Sequence, residues 1–326
     1  MVHVGFNYWG PNVAKNIAAS PKTNLEAVVD INPAAIERAR GIYRDNIKYS
    51  LDYREFLDDT SVDAFAVATQ TEPSYKIAID VLEAGKHLFI EKPMASDAKK
   101  AQDICSLASK KGLIVHCNHI MVHHPIIRYI KNLMDSGDIG EMIYFDSSKA
   151  NLGPIRSDIN AMLDLAVHDI AVLDYLCGGL GPTDIWAVGE KRYGEQETLT
   201  YLTMRYPGFL AHIKSSWVSP LKERRTVIGG TKKMLIFDDV KVVDKLSIHD
   251  QGIVQRESSY GEYEYKVRTG DMVAPYIPVV EPLRNSMEHF ADCVAEGKPS
   301  ITGSRQAVRV MSILDKAFVS MRGAIL

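Results

Sequence analysis

Asp164 and His168 stand four residues apart in DINAMLDLAVHDIAVLDYLCG, and well upstream Glu91-Lys92-Pro93 closes the apolar run HLFI. Four residues is about one helical turn, so this spacing puts a carboxylate and an imidazole on one helix face. An imidazole takes or gives a proton near neutral pH, and a lysine at a strand end brings an ammonium to steady negative charge on oxygen. That is equipment for interconverting an alcohol and a carbonyl. His168 is expected as the acid/base, Lys92 as the group on the reacting oxygen, and Asp164 as a residue that orients the substrate or holds the lysine. Taken singly, His168 reads as a core histidine of an apolar helix and Lys92 as a surface lysine. Pro93 biases Lys92 toward extended backbone at a strand's carboxyl end, where doubly wound folds bind ligands.

Such groups need a scaffold from two places in the chain, and 326 residues with 46% apolar content suffice for two cores, since single cores stop growing at roughly 250 to 300 residues. Up to about residue 120, short apolar runs at 2–4, 25–30, 62–69, 87–91 and 113–117 alternate with helical patterns at 11–20, 33–43, 74–84 and 97–111. This is βαβ grammar, and it predicts a doubly wound Rossmann domain of six parallel strands over residues 1–122. Beyond Pro125 come a helix to about 134, a strand over 142–150, the Asp164/His168 helix, and alternating runs at 183–191, 198–206, 209–217 and 232–239. These predict a C-terminal α+β domain, 123–326, with a large, mostly antiparallel open sheet and a turn at Gly229-Gly230. Helices over 284–295 and 304–321 cover one sheet face or return to the first domain.

The first strand meets the first helix through Gly5-Phe6-Asn7-Tyr8-Trp9-Gly10, where glycine backbone and free helix amides can receive a pyrophosphate. Asn7 replaces the middle glycine of G-x-G-x-x-G; asparagine tolerates positive φ, but its side chain would crowd the phosphates. Asp30, twenty residues after Gly10, can accept hydrogen bonds from both hydroxyls of an adenosine ribose, which favours NAD over NADP. The alternative for Asp30 is a turn-forming aspartate ahead of Asn32-Pro33. Arg38 and Arg40 are the nearest cations for a 2'-phosphate. Thr69, Gln70, Glu91 and Lys92 complete the expected cofactor set.

The glycine loop, VDAFAVAT, EAGKHLFIEKP and the Asp164/His168 helix resemble the Gfo/Idh/MocA oxidoreductases over nearly the whole chain. EAGKHLFIEKP falls where such enzymes carry a catalytic lysine, and Asp164-Leu165-Ala166-Val167-His168 matches their second catalytic segment. Tyr8-Trp9-Gly10-Pro11-Asn12, Asn151-Leu152-Gly153, Ser216-Trp217 with Pro220-Leu221-Lys222, and Lys233-Met234 before Asp238-Asp239 are similar to members acting on nucleotide-linked sugars, the UDP-N-acetylglucosamine 3-dehydrogenase group. The chain departs from the family at Asn7, at Gln70 and Ser74, where proline and histidine are common, and at Leu163, where tryptophan is frequent. The resemblance implies NAD-dependent oxidation of the C3 hydroxyl of a nucleotide-activated amino sugar to the 3-keto sugar. A 3-ketoreductase of a nucleotide-linked deoxysugar would use the same residues in reverse; a free sugar or polyol is the other alternative. A catalytically silent NAD-binding regulator would keep the fold, but retention of Lys92, Asp164 and His168 argues against it. His119, Arg156, Asn160 and Lys222 are expected at the sugar or diphosphate, and Arg224 and Arg225 either near phosphate or on a solvated loop. The sheet of the second domain resembles surfaces through which similar proteins form a homodimer or homotetramer.

Other classes are disfavoured. A net charge of −3 with scattered basic residues gives no field for nucleic acid. No leader-like segment opens the chain and no run of eighteen apolar residues occurs, so a cytoplasmic protein without a membrane partner is expected. Cys105, Cys117, Cys177 and Cys293 form no CxxC pair and are expected as buried free thiols. His119 and His123, beside His116 and His124, could share a metal only if helical; Pro125 interrupts that and no carboxylate lies among them, so no metal is expected. None of the fifteen tyrosines has lysine four residues later, which disfavours a short-chain dehydrogenase.

Overall fold

The computed structural model describes residues 1–259, 262–278 and 280–323. Two compact units divide the chain, Met1–His124 with Val280–Ser312, and Pro125–Val279 with Ile313–Leu326.

The first unit opens with β1 (Val2–Val4), α1 (Gly10–Ala19), β2 (Ala27–Val29), α2 (Pro33–Tyr43), β3 (Lys48–Ser50), β4 (Ala64–Val67), α3 (Thr71–Glu83), β5 (His87–Ile90), α4 (Ala98–Lys111) and β6 (Val115–Cys117). All six strands are parallel, in the order β3-β2-β1-β4-β5-β6. β1, β2, β4 and β6 are buried throughout, as apolar runs covered on both faces should be. The strand order reverses at β1, which lies between β2 and β4 and opens a crevice at their carboxyl ends. The strand that the βαβ count requires but the apolar pattern does not locate is β3, a three-residue edge whose first residue is exposed.

Local chemistry sets the helix ends. Asn32 Oδ1 accepts from Ala34 N at 3.0 Å and Pro33 opens α2; Asp97 accepts from Lys100 N at 2.8 Å, and Gly112, at φ +66°, ends α4. α3 begins at Thr71 rather than 74, because Pro73 fits a first turn whose amides need no helical partner.

The second unit contains α5 (Pro125–Asp135), β7 (Met142–Leu152), a π-helical turn (Met162–Ala166), α6 (Val167–Leu176), β8 (Asp184–Glu190), β9 (Leu199–Tyr206), β10 (Phe209–Ser216), β11 (Val218–Gly230), β12 (Met234–Asp238), β13 (Leu246–His249), β14 (Gly252–Ser259), β15 (Glu262–Arg268) and β16 (Met272–Val273). Eight strands form one sheet in the order β16-β13-β12-β11-β7-β10-β9-β8, and β14-β15 make a separate ribbon. The large sheet is mixed: β7 and β10 pair parallel, whereas the other neighbours are antiparallel. β11 is absent from the sequence reading because Pro220 interrupts it. Its pairing with β7 shifts register between Val218 and Glu223, and that irregularity accommodates the proline. Gly229-Gly230 ends β11 rather than forming the turn. A Cβ at Gly229 would meet the Tyr144 ring at 2.1 Å, so only glycine fits opposite that tyrosine.

α7 (Pro282–Glu296) and α8 (Ser304–Gly323) close the described chain. Leu283, Met287 and Phe290 of α7 join Val13, Ile17 and Phe89 in the core of the first unit. Among the described residues no helix is long and apolar enough to cross a membrane. All four cysteines are free; Cys177 is partly exposed and the other three are buried.

Candidate active site

The loop after β1 is folded around its two glycines. Gly5 adopts φ +96°, and a Cβ there would lie 2.6 Å from the Ala68 carbonyl oxygen; on Gly10 it would lie 1.9 Å from that of Gly5. The first glycine makes the turn and the last packs the helix against the strand. The non-glycine residue with positive φ is Tyr8, at +44°, not Asn7. Asn7, Tyr8 and Trp9 are exposed. Asp30 ties the loop to β2: its carboxylate accepts from Phe6 N at 2.6 Å and Asn32 N at 2.8 Å. Its oxygens keep further lone pairs for ribose hydroxyls. Arg40 pairs with Glu37 at 3.7 Å and lies over the Tyr49 ring. Thr69 Oγ1 and Ser74 Oγ are 2.8 Å apart at the start of α3, beside the exposed Gln70. Glycine cradle, carboxylate and switch-point crevice fit an adenine dinucleotide.

His3 was not singled out in the sequence, although a polar residue inside VHV marks it. It is fully buried behind the loop, and burial lowers its pKa to about 4, so it adds no positive charge there at neutral pH.

Lys92 follows β5, partly exposed, and its peptide bond to Pro93 is cis. The adjoining Glu91 is held by a buried polar chain. Asn118 Nδ2 donates to Glu91 Oε1 at 2.6 Å, and Ser286 Oγ of α7 donates to Asn118 Oδ1 at 2.7 Å. His116 Nε2 lies 2.8 Å from Ser286 Oγ, and its Nδ1 lies 2.9 Å from Ser300 Oγ. Ser286 has one proton and gives it to Asn118, so His116 must donate from Nε2 and accept at Nδ1. Burial drives the His116 pKa well below its usual value, which keeps that neutral tautomer. Burial also raises the Glu91 pKa, against the lowering effect of the Asn118 hydrogen bond, the Lys92 charge and the Lys92 amide.

In the second unit, Asp164 lies in the π-helical turn and His168 in the first turn of α6. The wider turn, bonded i to i+5, replaces the α-helical spacing expected between them; such turns are frequent at functional sites. Of the fourteen consecutive residues from Ala161 to Asp174, only Asp164 and His168 are not buried. Trp217 Nε1 donates to Asp164 Oδ2 at 3.2 Å, and Arg156 Nη1 lies 3.7 Å from Asp164 Oδ1. Arg156 also grips Asp158 in two-pronged fashion, at 3.0 and 2.6 Å. Beside His168, the buried Asp169 is ion-paired with Lys149 of β7 and accepts from Ser147 Oγ at 2.8 Å. Trp217 entered the sequence reading only through the resemblance and without a role, and Lys149 and Asp169 did not enter it; a lysine and an aspartate inside apolar elements were the available signal.

Asn160 is buried and caps the π-helical turn: its Oδ1 accepts from Leu163 N at 2.9 Å and its Nδ2 donates to Glu197 at 2.9 Å. His119 is 2% exposed, with Nδ1 2.6 Å from Gln306 Oε1 and Nε2 3.4 Å from Cys117 Sγ. Lys222 is exposed at the irregularity of β11. Of the two alternatives for this stretch, the solvated loop does not hold: it is strand, and Arg224 donates to the Ala150 and Glu223 carbonyls and to Asn151 Oδ1. His123 and His124 are buried, and His123 Nε2 lies 3.1 Å from Thr302 Oγ1.

Comparison with known proteins agrees with the two folds. A family model described as "Oxidoreductase family, NAD-binding Rossmann fold" matches residues 1–119, and one described as "GFO/IDH/MocA C-terminal domain" matches 127–236. UDP-N-acetylglucosamine 3-dehydrogenase of Acidithiobacillus ferrooxidans is 26% identical over 215 residues, 63% of this chain; the match spans 65% of that relative, just under two thirds of its length. scyllo-Inositol 2-dehydrogenase (NAD(+)) of Bacillus subtilis is 24% identical over 315 residues, 91% of this chain and 86% of its own. A solved structure of UDP-N-acetylglucosamine 3-dehydrogenase from Acidithiobacillus ferrooxidans shares the fold, with a TM-score of 0.80 at 23% identity, over 99% of this chain and 97% of that one.

Proposed function

The chain belongs to the Gfo/Idh/MocA oxidoreductase family, and on that footing we propose that it oxidises the C3 hydroxyl of a nucleotide-activated amino sugar such as UDP-N-acetylglucosamine to the 3-keto sugar. The observation that carries this reading is the selective access of Asp164 and His168 on an otherwise buried helical segment. Burying a helix on every side while leaving a carboxylate and an imidazole partly exposed is hard to explain by packing alone. Bound NAD supplies the acceptor for the hydride that leaves the sugar carbon. His168 takes the hydroxyl proton, and the Lys92 ammonium donates a hydrogen bond to the same oxygen, stabilising its developing charge. Asp164, held by Trp217 and Arg156, orients the sugar through a neighbouring hydroxyl. Arg156 and the exposed Lys222 are the cations assigned to the diphosphate.

Oxidation of a cyclic polyol is the second reading, favoured by the inositol relative aligned over 91% of the chain. The two separate in one assay. The protein is incubated with NAD and UDP-N-acetylglucosamine, dTDP-glucose, free N-acetylglucosamine or scyllo-inositol, following NADH absorbance and loss of two hydrogens by mass. One charge-assisted phosphate contact contributes about tenfold or more, so kcat/KM for the UDP-sugar should exceed that for the free sugar and the polyol by at least about that factor. Preference for scyllo-inositol would move the assignment to polyols. NAD binding with no NADH from any substrate would favour a silent regulator.

A further inference from the structure

Arg38 of α2 reaches back to the nucleotide loop. Its Nη2 donates to Asn7 Oδ1 at 2.9 Å and lies 3.4 Å from the Phe6 carbonyl oxygen, while Nη1 is 3.3 Å from that of Ala34. A guanidinium can only donate, so Asn7 must offer it the oxygen of its amide, which fixes the flip of that side chain. The two N–H groups of Asn7 Nδ2 are then on the other prong, and among the described residues none of the hydrogen bonds of the protein uses them. Arg38 has no carboxylate partner among the described residues either, so its charge stands beside the loop unneutralised. Asn7 occupies the position at which G-x-G-x-x-G loops have glycine so that the backbone can approach the pyrophosphate.

We infer that Asn7 and Arg38 form a clasp that replaces the middle glycine. Asn7 Nδ2 donates to the pyrophosphate of the dinucleotide, and Arg38 both holds the amide in the donating orientation and adds positive charge. What reads in the sequence as crowding is a phosphate contact built from two side chains. The inference rests on the assignment of NAD to this loop and adds to it a residue-level cause of affinity.

The test is calorimetric titration of the unaltered protein, Asn7→Gly and Arg38→Met with NAD, ADP-ribose and adenosine, with thermal melting to verify that each variant is folded. Both side chains are exposed, so little loss of stability is expected. Each substitution should raise Kd for NAD and for ADP-ribose about fivefold to tenfold, the scale of one charge-assisted hydrogen bond. Kd for adenosine, which has no phosphate, should stay within about twofold. Unchanged or tighter NAD binding by Asn7→Gly would overturn the clasp while leaving the NAD assignment in place, because glycine would then simply have relieved crowding. Equal weakening toward adenosine would overturn it in favour of a general change in the loop. Failure of the unaltered protein to bind NAD would remove both.

Discussion

Lys92→Ala lowers kcat with the best sugar substrate by at least about a hundredfold, the scale of removing one preorganised donor from a developing oxyanion. The loss falls on kcat more than on KM, because the ammonium matters most when the hydroxyl oxygen has become negative. Folding should be little affected. Lys92 is partly exposed after β5, and the hydrogen bonds that run from Glu91 through Asn118 and Ser286 to His116 remain in the variant. Steady-state kinetics checks the prediction, with melting temperature as the control for structure. Near-normal turnover in a folded variant would withdraw the assignment of Lys92 to the reacting oxygen.

Lys149→Met destabilises the second unit by about 3 to 5 kcal/mol, the cost of stranding one member of a buried ion pair. Lys149 is 8% exposed and Asp169 2%. Without the ammonium, the Asp169 carboxylate keeps Ser147 Oγ at 2.8 Å, but its Oδ2 has no hydrogen-bond partner among the described residues. The loss corresponds to a fall in melting temperature on the order of 10 °C. Replacing both partners, as Lys149→Met with Asp169→Leu, should restore more than half of it, since an apolar pair of similar volume leaves no charge buried. Thermal melts of the single and double variants decide the matter. A double variant no more stable than Lys149→Met alone would show that the pair is not the source of the effect.

The parallel strands of the first unit were legible because covered strands must be apolar without interruption, as AFAV and HLFI are. Helix ends were legible where a cap is chemically dictated, as at Asn32-Pro33, Asp97 and Gly112. β3 was missed because an edge strand of three residues needs no apolar run. β11 was missed because a proline and four charged residues, Lys222 to Arg225, look like a loop until the register shift against β7 is seen. Residue types and spacing pointed to Lys92, Asp164 and His168. They did not reveal the π-helical turn, the Trp217 bond to Asp164 or the Asn7–Arg38 contact, since these depend on where distant segments meet. Asn160 and His119, expected at the sugar, also have hydrogen-bond partners of their own, Leu163 N and Glu197 for the first and Gln306 for the second, which residue type alone does not reveal.

The central claim is that Lys92 and His168 act on one hydroxyl, and the most direct test is a double-mutant cycle on kcat/KM with Lys92→Ala, His168→Ala and the double variant. If the ammonium stabilises the charge that the imidazole creates by removing the proton, the second substitution costs little once the first is made. The double variant should then lie within about tenfold of the slower single variant, as for residues that work as a unit. Losses that multiply in full, each substitution costing as much in the presence of the other as in its absence, would contradict a shared hydroxyl.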